Sequence, residues 1–173
     1  PRTDPWLALV RAIVGQQLST TAARSIYARV LAHFPGGPPT PEGVLEADPE
    51  ELRAAGGLSR AKVTYMRSLA EHVLSGGLEL DRIDELDDDT VLAELCAVKG
   101  IGEWTAHMFL MFQLGRPDVL AVGDLGVRKG MQLAYGMEEL PSPALVREIA
   151  APWAPYRTAG CLVLWRSLDG DAA

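Results

Sequence analysis

The chain reads as an all-α protein. Apolar residues recur at helical spacing along almost its whole length, Ser, Thr, Asp and Pro mark helix starts while Gly pairs mark helix ends, and no stretch alternates long enough to require a sheet. Trp6, Leu9, Val10, Ile13 and Val14 make one stripe over Pro5 to Leu18, and Ala22, Ala23, Ile26, Val30 and Leu31 make a second over Ser19 to Phe34. These predict two packed helices. The Pro/Gly stretch Pro35 to Pro41 is a loop, and Thr40-Pro41 supplies a cap and a first-turn proline for a short helix, Glu42 to Ala47. Asp48-Pro49-Glu50-Glu51 opens another in the same way, which Gly56-Gly57 ends. Ser59 caps a longer helix, Arg60 to Ser75, whose Val63, Met66, Leu69, Ala70 and Val73 face inward, and Gly76-Gly77 stops it.

An acidic connection follows, then a helix from Asp89 to Ala97 with Asp89 or Thr90 as its cap, and then the bend Val98-Lys99-Gly100-Ile101-Gly102. Glu103 to Leu114 continues as a helix, stopped by Gly115-Arg116-Pro117. Asp118 to Gly123 reads as an extended bridge. Asp124 opens the helix Leu125 to Tyr135; Ser142-Pro143 opens Ala144 to Ala151, and the last helix runs from about Tyr156 to Leu168. There is no internal repeat at a fixed period.

At 173 residues, with 48% hydrophobic content, the chain is long enough for one substantial core or two small helical lobes, and its composition excludes a disordered protein. Its longest apolar run, Trp104 to Leu114, is interrupted by Thr105, His107 and Gln113 and falls short of the roughly 20 residues that span a bilayer, so no membrane partner is expected. Pro1 to Trp6 carries no signal-peptide pattern. Cys96 and Cys161 lie in apolar helical surroundings and read as buried reduced thiols. His33, His72 and His107 have no metal-ligand spacing, and His107 reads as a core or cleft residue.

The formal net charge is −7, and residues 79 to 94, with eight acids against Arg82, hold all of that excess. The rest of the chain is balanced, so acidity describes one solvated connection and does not exclude an anionic partner met through backbone amides. The bend at Val98 to Gly102 supplies such amides. Two glycines one residue apart allow φ > 0, and nothing blocks the amino end of the helix that starts Glu103-Trp104-Thr105-Ala106, so N–H groups and the helix dipole suit a DNA phosphate. The same glycines also serve simply to close one helix and open the next. Asp124 is likewise both an ordinary helix N-cap and a candidate catalytic carboxylate.

Three segments in order carry a resemblance. Ala12-Ile13-Val14-Gly15-Gln16-Gln17-Leu18-Ser19, Val98 to Ala106, and Val122-Gly123-Asp124-Leu125-Gly126-Val127-Arg128 resemble the early helix end at the lesion, the hairpin and the catalytic-aspartate segment of helix-hairpin-helix DNA glycosylases, in the 3-methyladenine DNA glycosylase II (alkylbase) branch. The resemblance covers nearly all 173 residues. It implies a two-lobed helical fold with the active site in a cleft between the lobes, the whole of 1–173 forming one catalytic unit. The hairpin, 95–106, would lie in a central lobe of about 20–126, and 1–19 with 127–173 would make the second. The branch often carries an additional amino-terminal β-rich domain, which these residues do not include.

The implied activity is hydrolysis of the N-glycosidic bond of alkylated bases in double-stranded DNA, leaving an abasic site. An N-alkylated purine is already cationic and leaves readily, so the protein mainly stabilises an oxocarbenium-like sugar, the task assigned to Asp124. Relatives with lyase activity resemble this chain but place a nucleophilic lysine where Trp104 stands, so a monofunctional enzyme is implied. Trp104 offers a π-face to a cationic base; a core Trp beneath the hairpin is the alternative. Met108, where the branch commonly has an aromatic, and Trp153 complete the implied base pocket, while Trp165, among Leu162, Val163 and Leu164, reads as core.

The target nucleotide must leave the stack and its gap must be filled. Gln17 stands where the branch often has an apolar wedge and Gln16 where it meets neighbouring bases; a pair of glutamines ending a helix is the bland alternative. Phosphate contacts fall to Lys99, Gly100, Ile101, Gly102 and Thr105. The hairpin also resembles one that holds a monovalent cation, Na+ or K+, through the carbonyls of Cys96, Val98 and Ile101; no other cofactor is implied, and two cysteines do not make the four-cysteine iron–sulfur site of some relatives. A monomer in a bacterial-type cytoplasm, associated with the nucleoid, is expected. Competing readings are a non-catalytic hairpin module that binds DNA, and a glycosylase for oxidised or mismatched bases.

Overall fold

Residues 4–169 are described by a computed structural model, in which no strand occurs among the described residues. They form two compact units, divided between Phe109 and Leu110. Helix α1 (Pro5–Gly15) packs on α2 (Thr20–Ala32) and α5 (Arg60–Leu74) within the first unit.

The first unit is built around α1 and α5. Leu9, Val10, Ile13 and Val14 of α1 are fully buried, as are Met66, Leu69 and Ala70 of α5, so the stripes read from the sequence are the surfaces that meet. The indole N–H of Trp6 donates to the Pro39 carbonyl at 2.7 Å, drawing the Pro/Gly loop onto the core. α3 (Pro41–Glu46) packs on α5, and α4 (Pro49–Gly56) packs on α2 and α5, each starting at the expected cap and proline. Arg67 of α5 donates to the carbonyls of Val44, Leu45 and Ala47, serving the unpaired end of α3.

Three boundaries differ from expectation. α1 stops at Gly15 instead of Leu18, since Leu18, the next apolar residue after Val14, is exposed and holds no further turn down; the chain turns extended at Gln16 and left-handed at Gln17, φ 57°. α6 (Asp88–Ala97) is capped by Asp87, not Asp89 or Thr90: its carboxylate accepts the Thr90 amide at 2.8 Å and the Thr90 hydroxyl at 2.9 Å. The helix expected over Glu103 to Leu114 is α7 (Glu103–Met108) followed by a π-helical turn, Phe109–Gln113, closed by the Arg116 amide on the Leu110 carbonyl.

The second unit pairs α8 (Leu125–Ala134) with α10 (Arg157–Asp169), while α9 (Pro143–Ala150) packs beside α8. Close approach requires small residues here: a Cβ at Gly130 would overlap the Leu164 carbonyl, and one at Gly126 would meet the Trp165 ring at 2.7 Å. The bridge after Pro117 is not the extended run expected: it turns at Pro117–Asp118 and again at Val122–Gly123, where the Asp124 amide donates to the Ala121 carbonyl at 3.0 Å, and it is fastened to the start of α10. Arg157 grips Asp118 through Nε and Nη2 at 2.7 and 2.8 Å, and Thr158 Oγ1 donates to Arg116 and accepts the Val119 amide. The Arg157 guanidinium holds the Asp118 carboxyl below the usual carboxylate range. Cys161 is buried under this bridge, and burial raises its thiol pKa. Cys96, expected to be buried, is exposed, because Val91 and Leu95 take the inner face of α6. His107 is buried, as expected.

Candidate active site and DNA-contact elements

Asp124 caps α8. Its Oδ1 accepts the Val127 amide at 2.7 Å, a cap bond that an Asp at this position would form in any helix. The same oxygen accepts the indole N–H of Trp165, also at 2.7 Å. Capping alone does not require this second donor. Two short donors on one oxygen of a half-buried carboxylate fix its plane. Trp165 is thus not the core residue its neighbours suggested; it is half-buried, 41 residues along the chain from its acceptor, and lies over Gly126. Phe112, in the π-helical turn, stacks on it with ring centroids 6.0 Å apart and planes inclined by 25°. Phe112 is 63% exposed, so an aromatic shelf stands open beside the carboxylate.

Phe112 and Trp165 are the site residues the sequence reading missed. One signal pointed to Trp165: an indole among Leu162, Val163 and Leu164 needs an acceptor for its N–H, and a helix through apolar residues has none to spare. Phe112 had no signal, since its exposure depends on the wider turn at Phe109–Gln113. Trp153, expected in the base pocket, is half-buried, with its ring against the Gly160 backbone of α10.

In the first unit the structure gathers the hairpin and the Gln16-Gln17 loop. Gly100 has φ 90°, and a Cβ there would overlap the Tyr65 ring, so the position excludes every side chain on two grounds. The Gln16 side-chain amide donates to the Gly100 carbonyl at 2.8 Å. Of the expected phosphate-contacting amides, that of Lys99 donates to Ser68 Oγ at 3.1 Å and that of Ile101 to the Val98 carbonyl at 3.1 Å. Their N–H groups are therefore engaged inside the protein. Gly102 opens the first turn of α7 without a side-chain cap, with open space where a Cβ would stand. Trp104, in the same turn, is 54% exposed, against the core alternative; Met108 is half-buried.

Cys96, Val98 and Ile101 supply neutral carbonyls, a donor set that suits an alkali cation and not zinc. The Val98 carbonyl accepts the Ile101 amide at 3.1 Å and, like any carbonyl, has a second lone pair.

The family model described as HhH-GPD superfamily base excision DNA repair protein matches residues 10–155. DNA-3-methyladenine glycosylase 1 of Schizosaccharomyces pombe is 33% identical over 168 residues, which cover 96% of this chain and 73% of that protein. A solved DNA-3-methyladenine glycosidase from Bacillus halodurans superposes with a TM-score of 0.86 at 44% identity, covering 96% of this chain and 76% of that one. The S. pombe 3-methyladenine DNA glycosylase, solved in complex with abasic DNA, superposes with a TM-score of 0.79 at 34% identity, covering 94% of this chain and 79% of that one.

Proposed function

Because the chain belongs to the HhH-GPD superfamily of base excision DNA repair proteins, we propose that it is a monofunctional DNA glycosylase of the alkylbase class. It takes bases of the 3-methyladenine and 7-methylguanine type out of double-stranded DNA and hydrolyses the bond to the sugar. The observation that carries the reading is the Asp124 carboxylate, held at the start of α8 by the Val127 amide and the Trp165 indole.

The chemistry follows from that placement. As the C1′–N bond breaks, the electron pair leaves with the base, which sheds its positive charge, and positive charge develops on the sugar. A fixed carboxylate stabilises that charge without reorganising at the moment of reaction. Water adds to C1′, and Asp124 orients it or takes its proton. No lysine stands at position 104 to compete with water, so no Schiff base forms and the strand stays intact. Trp104 offers its exposed face to the cationic base, an interaction worth about 0.5–2 kcal/mol that a neutral base does not receive. The hairpin grips one phosphate through Lys99 and the backbone of Gly100 to Gly102 with Thr105, and a Na+ or K+ on the Cys96, Val98 and Ile101 carbonyls would add positive charge beside it. The protein acts as a monomer on intracellular DNA.

Wild type and Asp124→Asn incubated with methylated duplex test this directly. Wild type releases methylated purines and leaves abasic sites, Asp124→Asn does not, and borohydride traps no adduct with either. Binding without release by wild type would instead identify a non-catalytic hairpin module.

A further inference from the structure

One face of α5 carries Lys62, Tyr65 and Ser68, spaced three apart and so stacked along the same side of the helix. Each touches an element expected to meet DNA. Lys62 Nζ donates at 2.7 Å to the carbonyl of Val14, one residue before the end of α1. The Tyr65 ring lies under Gly100, and Ser68 Oγ accepts the Lys99 amide. Gln16 closes the figure by donating to the Gly100 carbonyl, 84 residues away in sequence. Between Val14 and Gln16 the chain is thus pinned at both ends, and the next residue, Gln17, is exposed and left-handed.

We propose that the Lys62–Val14 and Gln16–Gly100 bonds make the gap-filling loop and the phosphate hairpin one preset element, with Lys62 and Gln16 as positioning residues for nucleotide extrusion. The inference rests on the glycosylase reading. Its physical basis is preorganisation. A non-glycine residue in the left-handed region is held there only by its surroundings, and a loop ordered before DNA arrives does not pay its conformational entropy during extrusion. Gln16, expected to meet neighbouring bases, donates a side-chain N–H to the hairpin backbone. Gripping a phosphate at Gly100 to Gly102 then sets where Gln17 stands. Burial lowers the Lys62 ammonium below the usual lysine value, consistent with a group turned inward to a carbonyl.

The test uses Lys62→Met, which keeps the stem and removes the donor, and Gln16→Ala. Substrates are a duplex with one 7-methylguanine paired to cytosine and the same duplex with that base opposite an abasic analogue, where little pairing has to be broken. A 2-aminopurine beside the lesion reports unstacking. Each variant excises the paired base about tenfold more slowly and shows a reduced 2-aminopurine signal, because one restraint on the loop is lost. Lys62→Met excises the unpaired base within about twofold of wild type, as extrusion there is nearly free. Equal losses on both substrates, or no loss on the paired one, overturn the proposal. If wild type releases base from neither duplex, the glycosylase reading falls; unstacking by wild type, and its loss or survival in the variants, still decides the role of the two ties.

Discussion

Removing only the indole N–H from the carboxylate separates a positioning role of Trp165 from its bulk. Trp165→Phe keeps an aromatic face for Phe112 and removes the indole donor from Asp124 Oδ1 while the Val127 amide stays. The lost bond is short, 2.7 Å, half-buried and made to an anion. Bonds of that kind contribute about 1.5–3 kcal/mol. If the whole of it acts by holding the carboxylate against the sugar in the transition state, the rate falls by about 10- to 150-fold. The assay is single-turnover release of methylated purine at saturating protein, with thermal melting as a control on the fold. Gly126→Ala reaches the same bond from the other side: its methyl would lie 2.7 Å from the indole Cδ1 and 2.9 Å from Nε1, pushing the ring off Oδ1. The two substitutions remove one interaction, so the double variant loses less than the product of the single effects. Excision by Trp165→Phe at the wild-type rate, with Gly126→Ala still impaired, would refute the positioning role and leave Trp165 as a packing surface alone.

Trp104→Ala lowers excision of a cationic methylated purine more than that of neutral hypoxanthine, by about 0.5–2 kcal/mol in relative kcat/KM, because only the cation gains from the π-face. Gly100→Ala weakens binding to undamaged duplex and lowers thermal stability by about 1–3 kcal/mol, since the methyl meets the Tyr65 ring and the backbone is left-handed; anisotropy and melting read both. Asp118 carries a carboxyl lowered by Arg157, so its contribution to stability is present above the unfolded carboxyl value of about 3.9 and is lost as pH falls through the lower folded value. Asp118→Asn therefore reduces stability at neutral pH, by about 1 kcal/mol for a pair this exposed, and flattens the acid limb of the unfolding profile measured by denaturant titration.

The comparison of Asp124 with Trp165 shows where the sequence stops being informative. Helix content, most caps and the inner faces of α1 and α5 depend on neighbours within a turn or two, and local periodicity, proline and cap chemistry expose them. The hairpin and Asp124 were legible for the same reason: each is a short motif whose backbone consequences lie within a few residues. Asp87 in place of Asp89, and the end of α1 at Gly15, are local as well; they were missed because several good caps stood in a row and because glutamine gives no strong signal at a helix end.

The indole that meets Asp124 could not be chosen that way. Trp153 and Trp165 are both aromatics near the same end of the chain, and what separates them is the crossing of α8 and α10, where Gly126 and Gly130 let the helices come close enough for one indole to reach Oδ1. The ties from Lys62 and Gln16 likewise join residues 48 and 84 positions apart. The sequence by itself therefore determined the helices, the glycine bend and the carboxylate. Tertiary packing alone decided which donors hold that carboxylate and which side chains fasten the loop to the hairpin, because a hydrogen bond between distant residues depends on the separation and angle of packed helices, which no local pattern encodes.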